Sequence, residues 1–502
     1  MKRAGNCLLT LIVYPSFMQR LPTSPVGLSL RAGSERAQRR RHRPVKRSAI
    51  IVNQALSISS RWLALDAQEK TALANWLLVW VVLANIGFSL LYYVGAPPRV
   101  VAIFVFGGLG LLVRNHSLLV RCITFIVGLS YSVLVVTGSM FNLSIFTLSR
   151  SIVFMGELNA FNSYEYVLLG LGLIALVAIA GFAMRRPAAF SDRRAILIAA
   201  IAISLVAAFD AFMCYGARGH YKRVNSDDAP FSSAVSNADF VPAAGAPKRH
   251  LMIVMVESLG ATVDNPEMQR LIFGRYRDPA VRARFEMSTG TTTYFGSTTM
   301  GEIRELCGRW GEYDELVSRR DEGCLPARLA QQGYETTAYH SFGGHFFDRS
   351  AWYPNIGFEQ TFFRNHLIKN GSERCGGVFA GACDRHVPRQ LAAHLKAADK
   401  PQFIYWLTVN SHLPVPEKNN LGTDNCARLS PALERDYPMI CRQIAIWDAI
   451  DAAMVKEITA ADFPPTDILL VGDHMPPYFD RKSRTQFAPD RVPWLLLKWR
   501  GE

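Results

Sequence analysis

The sequence predicts an α-helical membrane domain of about five spans followed by an α/β domain with a mainly parallel sheet. Three observations predict it. Apolar runs long enough to cross a bilayer are concentrated between residues 73 and 214. Beyond residue 250, short unbroken apolar runs alternate with helical stretches, as strands buried on both faces and joined by helices do. Six of the nine cysteines lie in the second half, an even set that a domain outside the cytoplasm would pair.

The chain starts with a basic segment. Of its 502 residues half are hydrophobic, the net charge is +14, and mean hydropathy is +0.11. Much of the charge sits in RRRHRPVKR (39–47). Such a run can bind nucleic acid or anionic lipid. Ahead of an apolar span it reads instead as a cytoplasmic tail, residues 1–71, with no nucleic-acid partner. LLTLIVYPSFM (8–18) is short, broken by Pro15 and followed by no clean cleavage site, so it is not read as a signal peptide.

The membrane domain is placed at 72–214, with spans near 73–94, 99–113, 118–138, 164–183 and 195–214. The second is short. MFNLSIFTLSRSIVFM (140–155) carries Arg150 and reads as interfacial or re-entrant. Arg114 and Arg121, the four arginines at 185, 186, 193 and 194, and the basic tail fall on one side if there are five spans. Positive charge marks the cytoplasmic side. An odd number of spans then puts everything after residue 214 outside.

Residues 215–248, rich in Ser, Ala, Asp, Gly and Pro, read as a linker, and 249–502 as the outer domain. Its expected strands are LMIVMVES (251–258), ETTAYHS (335–341), QFIYWLTVNSH (402–412), DILLVGDH (467–474) and PWLLLKW (493–499). Helices are expected at 325–332 and 444–458. Glu257, His340, His412 and the Asp473–His474 pair end four of these strands. Ligands of open α/β sheets bind at the carboxyl ends of strands, so the pattern points to a metal site there. Sequence proximity favours disulfides 307–324, 375–383 and 426–441, among fifteen possible pairings.

Glu257, the G-x-T at 296–298, VNSH ending at His412 and GDH (472–474) together resemble the extracytoplasmic phospholipid-headgroup transferases of the alkaline phosphatase and sulfatase superfamily. These include the lipoteichoic acid synthases, phosphoglycerol transferases acting on periplasmic glucans, and phosphoethanolamine transferases. HSFGGHFFDR (340–349) is similar to the synthase segment whose His and Arg hold the phosphoglycerol group, with Phe347 where a Trp is usual. The resemblance implies a sulfatase/alkaline-phosphatase-like domain on a multi-pass anchor in a bacterial inner membrane, facing the periplasm or exterior.

Carried over, Glu257, Thr298, Asp473 and His474 would bind one divalent metal, Zn or Mn. Thr298 would be the nucleophile. His340, Arg349 and His412 would hold or protonate the phosphoryl group. The donor would be a membrane phospholipid and the acceptor an envelope glycan or lipid. The chemistry agrees: a threonine hydroxyl needs a cation to become nucleophilic, and Arg offers a phosphate a bidentate fork. GDHMPPYF departs from the GDH-G continuation common in the family, so it chooses no headgroup.

Two stretches carry competing readings. In GSTTMGE (296–302), Thr299 and Glu302 fit a T-x-x-E capping box, with Thr298 just before the helix and Ser297 as the fallback nucleophile. CLPAR (324–328) matches C-x-P-x-R, in which sulfatases convert the cysteine to formylglycine, but Pro326 suits the first turn of an ordinary helix. A sulfatase-like hydrolase and a non-catalytic membrane scaffold are the alternatives to a transferase.

Overall fold

The computed structural model describes residues 65–94, 97–141, 163–214, 231–243, 247–417, 420–478 and 480–501, with a few single positions between them. The basic tail up to residue 64, nearly all of the interfacial stretch and the linker part 215–230 lie outside the described residues.

Among the described residues, five apolar helices precede the outer domain. α1 (Ala67–Leu90) is capped by Asp66, which accepts from the Glu69 N–H at 2.7 Å. α3 (Leu118–Phe141), α4 (Tyr164–Ala183) and α5 (Arg193–Cys214) are, like α1, long and apolar enough to cross a membrane. α2 (Val100–Val113) is shorter; at 1.5 Å per residue it reaches only about 21 Å. Glycines let α2 approach its neighbours. A Cβ at Gly107 would meet Ile203 at 2.6 Å, and one at Gly110 would meet Trp80 at 2.4 Å.

Residues 231–243 belong to the outer domain by their packing. Phe240 and Ala234, the latter opening α6 (Ala234–Asn237), are buried against Leu306 and Tyr313. The domain is built on a seven-stranded sheet in the order β2-β7-β6-β1-β5-β3-β4. The strands are β1 (His250–Val256), β2 (Phe285–Thr293), β3 (Glu335–His340), β4 (Gln360–Phe362), β5 (Gln402–Leu407), β6 (Thr466–Gly472) and β7 (Arg491–Trp499). From β6 to β4 the pairing is parallel, while β7 runs antiparallel to both β6 and β2.

The central strands alternate cleanly between two cores. Leu251, Ile253 and Met255 face one, with Phe403 and Leu469 beside them. Met252, Val254 and Val256 face the other, with Trp406 and Leu470. α7 (Thr298–Cys307) and α8 (Leu325–Gln331) cover the first face through Ile303, Leu306 and Leu329. α10 (Pro438–Ile458) covers the second through Ile444 and Ile450; α9 (Arg349–Asn355) packs Trp352 and Tyr353 into the first.

The three expected disulfides are present: Cys307–Cys324, Cys375–Cys383 and Cys426–Cys441. β2 and β4 are not among the strands expected from the sequence. β2 is FEMSTGTTT at a sheet edge, with only Phe285 and Thr292 buried, so it shows no apolar run. β5 also ends at Leu407, not at His412. The Asp384 carboxylate accepts the N–H groups of Val409 (3.0 Å) and Asn410 (2.6 Å) and draws the chain away from the ladder.

Candidate active site and metal centre

The register brings the strand ends together. Val256 pairs with Gly472 and Met255 with Leu407, while His340 pairs with Leu407 from the other side. Glu257 and Asp473 therefore leave adjacent parallel strands side by side. Donor atoms of Glu257, Asp473 and His474 all lie within 4.8 Å of one another, and all three residues are buried.

Thr298 completes this set from α7. Its Oγ1 donates to Glu257 Oε2 at 3.2 Å and sits 3.4 Å from His474 Nε2. The segment around it departs from the capping-box reading. Ser297 is the N-cap and Thr298 the first helical residue. Glu302 does not turn back to the helix start, because its carboxylate is engaged elsewhere. Ser297 Oγ and Thr299 Oγ1 lie 3.1 Å apart.

The donors are oriented from behind. His474 Nδ1 donates to the Met475 carbonyl at 2.9 Å, which aims Nε2 at the centre. Asp473 Oδ1 accepts from the N–H groups of Ser258 (2.7 Å) and His474 (2.6 Å). Its Oδ2 is buried with no hydrogen-bond partner and lies 3.4 Å from His474 Nε2. Burial, with the charge of Glu257 beside it, pushes Asp473 up to about 7. Burial alone would pull His474 down, but Asp473 and Glu257 outweigh it and raise the imidazole. Two facing carboxylates, an orphaned oxygen and an aimed imidazole are what a divalent cation would satisfy. The set therefore fits the group the sequence implied.

His412 lies next to this centre. Ser411, just before it, donates Oγ to the Glu257 carbonyl at 2.7 Å. His412 Nδ1 donates to the Leu413 carbonyl at 2.7 Å, so Nε2 carries the lone pair. Burial pulls His412 down to about 4. Phe379 lies against the ring, tilted by 42° with centroids 3.7 Å apart. Phe379 also contacts Phe342 (5.9 Å) and Phe346 (5.8 Å), and Phe346 contacts Phe347 (4.6 Å), which makes an aromatic wall.

His340 and Arg349 form a second group. His340 Nδ1 donates to the Leu407 carbonyl at 3.2 Å, and its buried Nε2 has no partner. Burial, reinforced by Arg349, holds His340 well below the usual imidazole range. Arg349 is tied to Glu302 Oε2 through Nε (3.0 Å) and Nη2 (2.7 Å), and to the Phe346 carbonyl through Nη1 (3.0 Å). Tyr353 and Tyr405 hydroxyls donate to the other Glu302 oxygen. Phe347 lies under the guanidinium, 5.6 Å from its centroid.

Three residues brace α7, of which the sequence marks only Glu302, and that as a capping residue. Glu302, Arg304 and Glu305 are fully buried charges on one ten-residue helix. In the sequence they look like the ordinary polar face of a helix; only their crowding within four positions marks them. Cys324 is bonded to Cys307, which removes the formylglycine reading. The groove of about 310 Å³ on the β2–β7 edge, lined by Gln269, Phe273, Thr289 and Trp494 among others, shares no residue with the site.

Residues 276–496 match the family described as Sulfatase. A Rhizobium meliloti (strain 1021) protein named for cyclic beta-1,2-glucan modification is 28% identical over 153 residues, 29% of this chain and 22% of that relative's length. Among solved structures, the lipoteichoic acid synthase LtaP from Listeria monocytogenes is 17% identical, with 51% of this chain and 66% of that one covered at a TM-score of 0.39. The lipooligosaccharide phosphoethanolamine transferase A (EptA) from Neisseria meningitidis is 13% identical, with 84% and 89% covered at a TM-score of 0.41.

Proposed function

We propose that this chain, whose outer domain is a sulfatase-family domain, is a membrane-anchored enzyme that transfers a phosphoglycerol or phosphoethanolamine headgroup. The donor is a phospholipid and the acceptor an envelope glycan or lipid outside the inner membrane. The observation that carries the reading is Thr298: a hydroxyl on the first residue of α7, 3.2 Å from Glu257 and 3.4 Å from His474. Backbone N–H groups at a helix start favour an anion there.

Glu257, Asp473, His474 and Thr298 would hold one divalent cation, Zn or Mn. When bound, it lowers the pKa of the threonine hydroxyl and offsets the negative charge of the phosphoryl oxygens. Thr298 Oγ1 bonds to phosphorus, and the proton it gives up ends on the leaving lipid oxygen. The bond from phosphorus to the lipid glycerol oxygen breaks, and that oxygen leaves protonated as diacylglycerol. An acceptor hydroxyl then bonds to phosphorus as the bond to Thr298 breaks, and the acceptor's proton returns to Thr298 Oγ1.

His412 serves the proton transfers. As a neutral imidazole with a free Nε2 lone pair, it is suited to take the acceptor's proton. Protonating the lipid oxygen, the other role open to it, requires the bound anion to raise its pKa first. Arg349 and His340 grip the phosphoryl group. A guanidinium has five N–H groups; three are engaged by Glu302 and Phe346, which leaves two for a ligand. A phosphoryl anion beside His340 would favour its protonated form, in which Nε2 donates to that oxygen.

Incubation of membranes carrying the protein with phosphatidylglycerol or phosphatidylethanolamine tests the reading. Diacylglycerol release that needs both Thr298 and a divalent metal supports it. Release from neither lipid by the metal-loaded protein sinks it.

A further inference from the structure

The segment that carries two of the metal-binding candidates is held by a residue outside the site. Arg304 is fully buried on α7. Its Nη2 donates to the Gly472 carbonyl at 2.8 Å and its Nη1 to the Asp473 carbonyl at 3.2 Å. Nη1 also reaches the Thr293 carbonyl at 3.4 Å, and Nε donates to Glu305 at 2.6 Å. Val471 is the last β6 residue paired with β7, so one planar fork takes over the backbone where the sheet lets go. α7 lies close against it: a Cβ on Gly301 would come within 3.1 Å of the Asp473 backbone.

Glu305 extends the chain of contacts. Besides Arg304, it accepts the backbone N–H groups of Ala234 at 3.1 Å and Val235 at 2.9 Å. Those are the first two residues of α6, downstream of the last membrane helix. A run of buried charge-assisted bonds therefore leads from α6 through Glu305 and Arg304 to Asp473.

We infer that Arg304 is a positioning residue for Asp473 and His474, and that Glu305, braced by Ala234 and Val235, fixes Arg304 for that task. The inference rests on the metal reading above. A residue that only filled the core would not need a guanidinium on the two carbonyls flanking a ligand. Lysine, a compact point charge, lacks the planar fork that reaches both carbonyls and Glu305 at once. Residues that orient metal ligands from behind typically change metal affinity about 10–100-fold when altered.

The test is zinc and manganese affinity of the full-length protein in detergent, measured by chelator competition, with thermal stability of the metal-free form alongside. Arg304→Lys and Glu305→Gln should each weaken metal binding about 10-fold or more. Glu305→Gln keeps shape and an acceptor oxygen, so it serves if Arg304→Lys does not fold. Metal affinities within twofold of the parent, with only the melting temperature lowered, would overturn the positioning role. A parent protein that binds neither zinc nor manganese would overturn the metal reading itself, and this inference with it.

Discussion

Glu302 holds Arg349 by two bonds to one carboxylate oxygen, at 3.0 Å from Nε and 2.7 Å from Nη2. Glu302 stands four residues after Thr298, one turn along the same helix. Thr298 and Arg349, the proposed nucleophile and phosphate ligand, are thus set against each other through the buried Glu302–Arg349 ion pair. Glu302→Ala would leave the guanidinium buried and unpaired, which costs roughly 3–5 kcal/mol. Chemical denaturation of the purified protein should show a loss of that size. A variant as stable as the parent would mean that the pair does not brace the site.

His412 is predicted to be neutral at physiological pH. Burial pulls it down to about 4, so the imidazole is a base at pH 7 and becomes an acid only when an anion binds nearby. Histidine-selective NMR of the ligand-free protein should find a titration midpoint near 4, moving upward when glycerol phosphate is added. A midpoint near 6.5 in the free protein would contradict the burial argument. Loss of this group in His412→Gln should lower turnover about 10²–10⁴-fold.

The candidate site was legible before the structure because β1 and β6 are buried, mainly apolar strands followed directly by Glu257 and Asp473, and β3 is a largely buried strand that ends on His340. Glu257, His340, Asp473 and His474 stood out for that reason. Other features lacked such a signal. β2 presents mostly polar side chains at an edge, so nothing marks it as part of the sheet. Glu302 fitted a capping box by spacing, yet Arg349, 47 positions away, competes for its carboxylate. Arg304 and Asp473 are 169 positions apart. Short spacing patterns cannot register contacts of that range, and three buried charges on one short helix look like a solvated face until their partners are placed.

Asp451 gives the outer domain a pH-dependent stability. It is buried on α10, and burial pushes it up to about 8. An unfolded chain ionises aspartate near 3.9. Its contribution is therefore fully present below about pH 4 and lost as pH rises toward 8. Asp451→Asn should raise the melting temperature at pH 8, by an amount worth a few kcal/mol, and leave it nearly unchanged at pH 4. An equal shift at both pH values would contradict the assignment.

The Cys307–Cys324 bond closes a loop of 17 positions at the far end of α7. A loop of this size is worth about 3 kcal/mol. Replacing both cysteines with serine should lower stability by about that amount. Peptide mass spectrometry should find Cys324 alkylated only after reduction. A formylglycine mass at that position would contradict both the bond and the transferase reading.

The most direct measurement is the mass of the Thr298-bearing peptide after incubation with phosphatidylglycerol or phosphatidylethanolamine and quenching in acid. The Thr298 assignment predicts a phosphoglycerol or phosphoethanolamine adduct on that residue, named by its mass and absent from Thr298→Ala. An unmodified peptide from a protein that releases diacylglycerol, or full transfer activity in Thr298→Ala, would contradict it.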